Sequence, residues 1–392
     1  MGSQPVRIFI SAGERSGDVH AAHLIRAVKK LRPDVEFEGF GGPSMEEAGC
    51  RLHRNMLDLS VMWFSFLGHL WKFLSLLRNF YWLLKESPPA ALVLVDYPGL
   101  HFILARLARA RKVPVVYYIC PQIWGWAPWR RGKIIRLTDL LMVILPFEAA
   151  LYRNDKNTVE YVGHPLPDEL LDHPAFAGGA DPRETLGIAK ERRVVGVFPG
   201  SRRQEVRSLM PLFRRILDGM ELDPHRHQVV VSCCEPGFRE TIEANLLGAA
   251  YPVAVRDDDS RLLMGACDFA LVASGTATLE LSFFRKPMLV LYRISKLALM
   301  AYRLLAVNPF ISLVNILGRG EVVPEKVVSG MDPSDLIVQA RALFEDSPER
   351  DLCLRKLERL HEEVFQPGGV AKAAGTLVEF LEKRNIFAEA RA

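Results

Sequence analysis

The chain has 392 residues, of which 49% are hydrophobic and 24% are charged, and its formal net charge is +4. This composition excludes a disordered or fibrous chain, and the length favours two domains. The small positive charge suits an anionic ligand or membrane surface but is too weak to indicate nucleic acid. The six cysteines form no C-x-x-C pair and no cluster with histidines, so we expect a reducing compartment and no metal site. The N-terminus has no signal-peptide pattern.

Short apolar runs alternate with helical patterns through the first part of the chain. Between the runs, segments such as 17–31 and 99–111 carry apolar residues at helical spacing. This alternation predicts a parallel sheet built from βαβ units. The predicted strands are 6–11, 35–40, 91–96, 113–118 and 140–145.

The same pattern starts again after 163–193, a segment rich in proline, glycine and charge that we interpret as a linker. The second series of predicted strands is 194–198, 228–232, 252–255, 269–273 and 287–291, followed by helices at 333–346, 348–365 and 370–384. We therefore expect an α/β protein with two doubly wound, Rossmann-like domains facing each other across a cleft. Ligands in such sheets bind at the carboxyl ends of the strands.

Two loops of the second domain have the composition of an anion site. In the first, Gly200 allows close backbone approach, Ser201 can cap the next helix, and Arg202 suits a phosphate. In the second, Ser274, Gly275 and Thr276 open a helix. The alternative for either loop is an ordinary capped turn. Together they predict a nucleotide diphosphate site without a Walker lysine or a metal, and the GxGxxG fingerprint of NAD enzymes is absent.

Glu280 lies one turn into the helix of that second loop, where it could accept hydrogen bonds from ribose hydroxyls. In the first domain, Asp96 ends an otherwise apolar strand, where a carboxylate suits a general base; capping the next helix is an equal alternative. The loop after the first strand, SAGERSGD at 11–18, has the position of a phosphate loop but carries Glu14, Ser16 and Asp18. Two carboxylates do not suit a phosphate, so the residues alone leave the role of this loop open.

A further loop and one helix carry aromatic and basic residues. After a strand, Trp124 and Trp126 precede Arg130 and Arg131, which fits a substrate loop or an anionic head-group site better than nucleic acid. The stretch 61–84 is apolar on a broad face but is interrupted by charges, so it is too short to span a membrane. Its surplus of apolar and aromatic residues favours a helix lying on a membrane, with core packing as the equal alternative. The membrane-facing candidates are Trp63, Phe66, Leu70 and Phe73.

Taken together, these motifs resemble lipid-A-disaccharide synthase, a glycosyltransferase family of the GT-B fold. The matching stretches occur in the family's order and cover nearly the whole chain. They are SAGERSGD at 11–18, the strand-end Asp96, CPQIWGW at 120–126, LPFE at 145–148, YVGHPL at 161–166, PGSR at 199–202, ASGTATLE at 273–280 and SLVNILGRGEVVPE at 312–325.

The resemblance implies an inverting transfer of diacylglucosamine from UDP to the 6-hydroxyl of diacylglucosamine 1-phosphate, without metal or cofactor. It implies that Asp96 is the base and that Arg202 holds the diphosphate. It also implies that Ser274, Thr276, Glu280 and Asn315 lie at the nucleotide site. Glu14, Ser16 and Asp18 would then face the acceptor sugar, and whether Glu14 shares proton transfer with Asp96 or only orients the acceptor stays open. The implied domains are 1–165 for the acceptor and membrane, 166–365 for the UDP-sugar, and a C-terminal helix at 366–392 packing on the first domain.

The resemblance also implies a peripheral protein on the cytoplasmic face of the inner membrane of a Gram-negative cell, and it leaves a homodimer open. The chain departs from the family's pattern in two places. Ala127-Pro128-Trp129 separates Trp126 from the first arginine, which family members tend to carry soon after this tryptophan, and Val314 stands where the family usually has a proline before the asparagine of SLVN. Three alternatives remain: a UDP-sugar epimerase, a transferase for another lipid-linked sugar, and a membrane-binding module without activity. The lipid-facing helix disfavours the first, and the joint presence of Asp96, Arg202 and Glu280 disfavours the last.

Overall fold

The structure is a computed structural model. It describes residues 5–56, 66–126, 128–154, 156–173, 176, 179, 181–295, 310–330 and 332–389, with side chains at 66–70, 72, 125, 126, 388 and 389 outside the description. The chain divides into two compact units. Unit 1 comprises Met1–Glu169 and Gln366–Ala392, and unit 2 comprises Leu170–Phe365. The predicted boundary at 165/166 thus falls four residues before the division between the units.

Unit 1 contains a parallel sheet of seven strands in the order β3-β2-β1-β4-β5-β6-β7. The central strands are apolar on both faces, since the five residues of β4 are all buried, as is typical of a sheet covered by helices on each side. The strands are β1 Val6–Ala12, β2 Val35–Gly41, β3 Cys50–Asn55, β4 Ala91–Val95, β5 Val115–Tyr118, β6 Leu140–Val143 and β7 Thr158–Tyr161.

The helices of unit 1 connect these strands and cover the sheet. They are α1 Arg15–Leu31, α2 Pro43–Glu47, α3 Phe66–Glu86, α4 Pro98–Ala110, α5 Ile123–Trp126, α6 Arg131–Leu137, α7 Pro146–Tyr152 and α8 Leu166–Leu171, which crosses into unit 2, together with α17 Gly369–Lys383 and α18 Ile386–Glu389 from the end of the chain.

Helix α17 packs against α1, so the end of the chain completes unit 1. The Asp168 carboxylate accepts hydrogen bonds from the backbone N–H groups of Gly368, at 2.6 Å, and Val370, at 2.7 Å. A Cβ on Gly369 would lie 2.8 Å from the carbonyl oxygen of His164. Helix α8 therefore holds the start of α17 by a carboxylate cap, and the loop before α8 approaches α17 so closely that only glycine fits at 369.

Unit 2 contains a parallel sheet of six strands in the order β10-β9-β8-β11-β12-β13. Its strands are β8 Arg193–Phe198, β9 His227–Ser232, β10 Val253–Arg256, β11 Phe269–Ala273, β12 Met288–Arg293 and β13 Glu325–Val328. Its helices are α9 Pro182–Thr185, α10 Arg203–Gly219, α11 Arg239–Leu246, α12 Ser260–Ala266, α13 Thr276–Phe283, α14 Leu313–Leu317, α15 Ser334–Phe344 and α16 Pro348–Val364.

The order of the central strands is that of a Rossmann sheet, so the predicted fold class is confirmed for both units. Three strands, β3, β7 and β13, were not predicted. Each of them lies at an edge of its sheet and carries half-exposed polar residues, as in the sequences CRLHRN and EKVV. An edge strand buries too little side chain to produce the apolar run on which the sequence prediction depends.

Candidate functional site

The predicted loops lie at equivalent points of the two sheets. In unit 1, SAGERSGD follows β1 and Asp96 follows β4, and these strands are neighbours. In unit 2, PGSR follows β8 and ASGTATLE follows β11, which are also neighbours. In both sheets the strand order reverses direction at this pair, which is the point where open α/β sheets bind ligands.

The backbone at Asp96 is held in an uncommon conformation. Asp96 and Tyr97 have φ values of 51° and 47°, in the left-handed region that disfavours residues other than glycine. The Asp96 carbonyl oxygen accepts hydrogen bonds from the Tyr117 hydroxyl at 2.7 Å and from His101 Nδ1 at 2.6 Å. Ile119, at the end of the next strand, is also left-handed at φ 58°, and its carbonyl accepts from the Asp96 N–H at 3.2 Å. Strain of this kind persists where surrounding contacts impose it, commonly at functional sites.

The environment of the Asp96 carboxyl suits a base. Burial raises the pKa of Asp96 to about 6, and the negative charge of the exposed Glu14 contributes in the same direction. A carboxylate with a raised pKa accepts a proton more readily than one of ordinary pKa while still being ionised at neutral pH. The sequence predictions for Asp96 and Glu14 therefore concern two carboxyl groups that interact electrostatically.

The SAGERSGD loop packs directly on Tyr97. A Cβ on Gly13 would lie 2.2 Å from the Tyr97 ring, so no larger residue fits there without moving the ring. Helix α1 begins at Arg15, two residues before the predicted segment 17–31, and it includes Ser16. The loop and the Asp96–Tyr97 turn thus form one packed group at the ends of β1 and β4.

The expectation that Asp18 faces an acceptor is wrong. Its side chain is buried, with 1% exposed, and its carboxylate accepts hydrogen bonds from the backbone N–H groups of Gly42, Ser44 and Met45 at 2.7, 3.0 and 3.2 Å. These groups surround the start of α2, where a helix has N–H groups without intrahelical partners. Asp18 therefore ties α1 to α2 and has a structural role.

The loop after β5 places Trp124 beside a buried carboxyl group. Trp124 Nε1 donates to Glu148 Oε1 at 3.1 Å, and the indole packs edge-on against Phe147. Glu148 also accepts from the N–H groups of Ile144 and Leu145, and burial raises its pKa to about 7. Trp124 is thus fixed at the ends of the strands, whereas the side chain of Trp126 lies outside the described residues.

The two predicted arginines that follow have different surroundings. Arg131 donates to the carbonyl oxygens of Leu151 and Arg153, the latter at 2.9 Å, so it holds the end of α7. These contacts give Arg131 a structural role that the sequence did not indicate. Arg130 lies next to Trp129, which is 74% exposed. Burial lowers the pKa of the nearby Lys133, and the positive charges of Arg106 and Arg130 contribute in the same direction.

The PGSR turn of unit 2 is built around Glu205. Gly200 has φ 107°, and a Cβ there would lie 2.3 Å from a Glu205 carboxylate oxygen. That carboxylate accepts from the N–H groups of Ser201 and Arg202 at 3.2 and 3.3 Å. Gly200 therefore makes room for Glu205, a role that was not predicted for it. The exposed Arg202 side chain, 3.6 Å from Glu205, remains the group suited to an anion.

The second loop of unit 2 begins helix α13 without a side-chain cap. Gly275 and Thr276 are exposed and Ser274 is half-buried, so the first backbone N–H groups of the helix open to the surface. This arrangement provides the positive end of a helix dipole for an anion. Glu280 forms an ion pair with Arg261 at 3.1 Å, and both side chains are largely buried.

The prediction of Asn315 as a nucleotide ligand is wrong for its side chain. Asn315 is fully buried; its amide nitrogen donates to the Val323 carbonyl and to Glu325, and its oxygen accepts from the N–H groups of Val322 and Val323. These contacts use the hydrogen-bonding capacity of the amide. Asn315 therefore fixes the turn that leads from α14 to β13.

Helix α3 has an apolar inner face and an aromatic outer face. Leu76, Phe80 and Leu84 are buried, and Phe73 packs against the same core, so the prediction that Phe73 faces a membrane is wrong. Trp63 and the side chains of Phe66 and Leu70 lie outside the described residues. Among the described side chains, the exposed residues of the helix are Trp71, Leu74, Arg78, Asn79, Tyr81, Trp82, Lys85 and Glu86, with Trp71 80% exposed.

Sequence reasoning missed His101, Tyr117, Glu148 and Glu205. His101 and Tyr117 look like ordinary members of apolar stretches, and only the tertiary structure brings them to the Asp96 carbonyl. Glu148 is the last residue of the LPFE motif, and Glu205 follows the PGSR motif by three residues, so these motifs were the signal from which the two glutamates could have been found. Within the described ranges, no group of three histidine, cysteine, aspartate or glutamate side chains is arranged to hold a metal ion. The described helices also include none long and apolar enough to cross a membrane.

Comparison with solved structures defines the class. The UDP-GlcNAc 2-epimerase of Neisseria meningitidis, bound to UDP-GlcNAc, matches with a TM-score of 0.62 and 14% identity over 96% of this chain and 100% of that one. The glycosyltransferase of kitacinnamycin matches with a TM-score of 0.63 and 15% identity over 96% and 99%. At this identity the likeness shows the fold alone, and the fold is GT-B, shared by glycosyltransferases and UDP-sugar epimerases.

Sequence comparison then distinguishes a glycosyltransferase from a UDP-sugar epimerase. The family description lipid-A-disaccharide synthetase matches residues 8–367. The lipid-A-disaccharide synthase of Myxococcus xanthus is 33% identical over 97% of this chain and 98% of its own, and that of Alcanivorax borkumensis is 35% identical over 96% and 97%. The chain belongs to the lipid-A-disaccharide synthase family, so it is a glycosyltransferase and the recognised resemblance is confirmed.

Proposed function

We propose that this enzyme condenses UDP-2,3-diacylglucosamine with 2,3-diacylglucosamine 1-phosphate. The products are a β-1,6-linked tetra-acyl disaccharide 1-phosphate and UDP. Family membership supports the class of reaction. The single structural observation that carries the proposal is the position of Asp96 at the switch point of unit 1, in a left-handed turn whose carbonyl is held by two hydrogen bonds.

Asp96 acts as the general base. The 6-hydroxyl oxygen of the acceptor attacks the anomeric carbon of the donor while the bond from that carbon to the UDP oxygen breaks, which inverts the configuration. The hydroxyl proton moves to the Asp96 carboxylate, and UDP leaves with the electron pair of the broken bond. The left-handed turn at Asp96 and Tyr97 supports this role because it directs one carboxylate from a rigid strand end. Glu14 raises the pKa of that carboxylate from the neighbouring loop.

The leaving diphosphate is stabilised by groups of unit 2. Its negative charge grows as the glycosidic bond breaks, and preorganised donors lower the energy of that state. The exposed Arg202 side chain and the open first turn of α13, at Gly275 and Thr276, support this assignment. Glu280, held by Arg261, is placed one turn into α13 to accept from ribose hydroxyls.

The outer face of α3 lies on the cytoplasmic surface of the inner membrane, where the acylated substrates reside. Trp71, Trp82 and Leu74 provide apolar contact, and Arg78 and Lys85 provide positive charge for anionic head groups. Lys85 lies 4.6 Å from the centroid of the Trp82 ring, which shows how closely the two kinds of side chain are placed. Aromatic and basic residues in this combination support interfacial binding.

The test is incubation of the purified protein with both acylated substrates in detergent, with mass spectrometry of the lipid product. We expect a tetra-acyl disaccharide 1-phosphate and an equal amount of UDP. A parallel reaction with UDP-N-acetylglucosamine, which has an acetyl group but no long acyl chains, tests the epimerase alternative of the same fold. Absence of disaccharide with the long-chain substrates, or conversion of UDP-N-acetylglucosamine alone, would contradict the proposal.

A further inference from the structure

We propose that His101 is a positioning residue for Asp96, acting with Tyr117 and Ser11 as a clamp on the Asp96 carbonyl oxygen. This inference rests on the proposed role of Asp96 as the base and adds residues to which neither the motifs nor the comparisons assign a role. The clamp is drawn from three elements: Ser11 lies on β1, His101 on α4 and Tyr117 on β5. None of the three is in the position of a group that transfers the proton itself.

The left-handed turn at Asp96 and Tyr97 needs contacts that maintain it. Asp96 and its neighbour Tyr97 are consecutive left-handed residues, and neither is glycine. Such a pair is unfavourable by itself and persists where external contacts impose it. The Asp96 N–H provides little of that support, because its contacts with the carbonyl oxygens of Tyr118 and Ile119 are long, at 3.3 and 3.2 Å.

Two short hydrogen bonds hold the carbonyl oxygen of Asp96. His101 Nδ1 lies 2.6 Å and the Tyr117 hydroxyl 2.7 Å from the Asp96 carbonyl oxygen, so both lone pairs of that oxygen are used. The His101 ring is also enclosed edge-on by Tyr97 and Tyr117, with centroids 5.8 and 6.1 Å away. These contacts define the direction of the peptide group on which the Asp96 side chain is carried.

The hydrogen bonds of His101 determine which of its ring nitrogens carries the proton. A carbonyl oxygen only accepts, so Nδ1 must carry the proton that it donates to Asp96. His101 is fully buried, and burial lowers its pKa to about 4, so the ring is neutral at physiological pH. Its Nε2 therefore accepts, and the buried Ser11 hydroxyl, 3.0 Å away, donates to it. Ser11 thus selects the tautomer that holds Asp96.

The consequence concerns the chemical step. Without the clamp, the turn at Asp96 and Tyr97 relaxes toward an ordinary conformation and the carboxylate moves away from the acceptor hydroxyl. A displacement of about 1 Å at a reacting group can reduce turnover by about 100-fold. Nucleotide binding depends on unit 2 in the proposed function, so its affinity should not change.

The experiment compares His101→Leu with His101→Asn in the full-length protein. Asparagine places a donor close to the position of Nδ1 and leucine does not. We expect kcat to fall about 10- to 100-fold in His101→Leu and to recover to within about fivefold of wild type in His101→Asn. UDP affinity should stay at the wild-type value in both. Tyr117→Phe removes the other donor, and we expect a loss of about threefold to tenfold.

Two measurements separate positioning from loss of stability. The first is Tm, with His361→Leu as a control because His361 is a partly buried histidine in unit 2. The second is a double-mutant cycle: if His101 acts through Asp96, then Asp96→Asn combined with His101→Leu should be no slower than Asp96→Asn alone. Equal kcat in His101→Leu and wild type, or a further loss in the double variant, would overturn the inference.

The cycle also distinguishes this inference from the proposed function. If wild type forms no disaccharide, or if Asp96→Asn keeps near-normal turnover, then the proposed function fails before the clamp is tested. If Asp96→Asn is inactive and His101→Leu is fully active, then only the clamp fails. Where His101→Leu yields no folded protein, the comparison of Tyr117→Phe with wild type decides the matter, since that change removes one oxygen atom.

Discussion

In unit 1, the residue that follows the fourth strand of the sheet is Asp96, which is left-handed and has its carbonyl bound from two sides. In unit 2, the residues that follow the strand at the equivalent place, β11, are Ser274 and Gly275, and Gly275 is exposed with space around it for a side chain. The topology is shared, but unit 1 holds the peptide group that carries a single carboxylate, whereas unit 2 has the start of a helix at its surface.

The difference matches two kinds of chemistry. A group that removes a proton must be placed within a fraction of an ångström of the reacting oxygen, so a strained but fixed turn is useful. A diphosphate is bound by several N–H groups and an arginine whose positions tolerate small changes, so an accessible helix start suffices. We therefore expect changes in unit 1 to affect turnover and changes in unit 2 to affect nucleotide affinity.

The largest effect is expected for Asp96→Asn. The amide keeps the size of the side chain but cannot accept the acceptor's proton, so we expect kcat to fall about 10²- to 10⁴-fold. UDP affinity, measured by calorimetry, should match wild type. Near-normal turnover in this variant would remove Asp96 from the role of base and would end the contrast between the two units.

Arg202→Ala should weaken nucleotide binding, the quantity that Asp96→Asn leaves unchanged. Loss of a charged hydrogen bond to phosphate corresponds to about 1.5–3 kcal/mol, so we expect UDP to bind about 10- to 100-fold more weakly. Arg207→Ala is the matched control, since Arg207 is exposed on the same helix, α10. Equal UDP affinity in the Arg202 variant and the control would contradict the diphosphate assignment.

A smaller and more specific effect is expected in the pH profile. Asp96 must be ionised to act as a base, and its pKa is raised to about 6 by burial and by Glu14. Turnover should therefore fall as the pH drops through about 6, by about tenfold per unit below that. Glu14→Gln removes one negative charge, so the pKa of Asp96 falls and the decline moves to lower pH.

The control for this shift is Glu36→Gln, on the exposed side of β2. Glu148 also titrates near this range, because burial and the charge of Asp96 raise its pKa to about 7. A decline that stays in place in Glu14→Gln would therefore assign the titration to a group other than Asp96.

The same contrast explains what could be predicted from the sequence. Strands such as β4 and β11 were predicted because burial on both faces leaves a continuous apolar run. Asp96 was predictable because a polar residue at the end of such a run is conspicuous. Asp18 and Asn315 were assigned to ligands wrongly because a sequence does not show that a polar side chain is already used by backbone groups of another element.

The clamp residues were not predictable for the opposite reason. His101 is separated from Asp96 by one helical turn and from Ser11 by 90 residues, so their meeting depends on the register of β1 with β4. Glu205 and Glu148 are local to their loops, yet the sequence does not show which N–H groups they accept from. Local spacing predicted the elements, and tertiary contacts decided the role of each polar group.

The smallest effect is expected on the outer face of α3, which differs from its buried inner face on the same helix. Replacing Trp71 and Trp82 by serine removes apolar contact with lipid but leaves Leu76 and Phe80 in the core, so the fold should be retained. We expect sedimentation with vesicles containing anionic phospholipid to fall about tenfold. Leu247→Ser is the control, since Leu247 is 78% exposed in unit 2. Unchanged sedimentation of the tryptophan variant, with Tm and detergent activity equal to wild type, would show that this face does not contact lipid, and the acyl chains would then need another site.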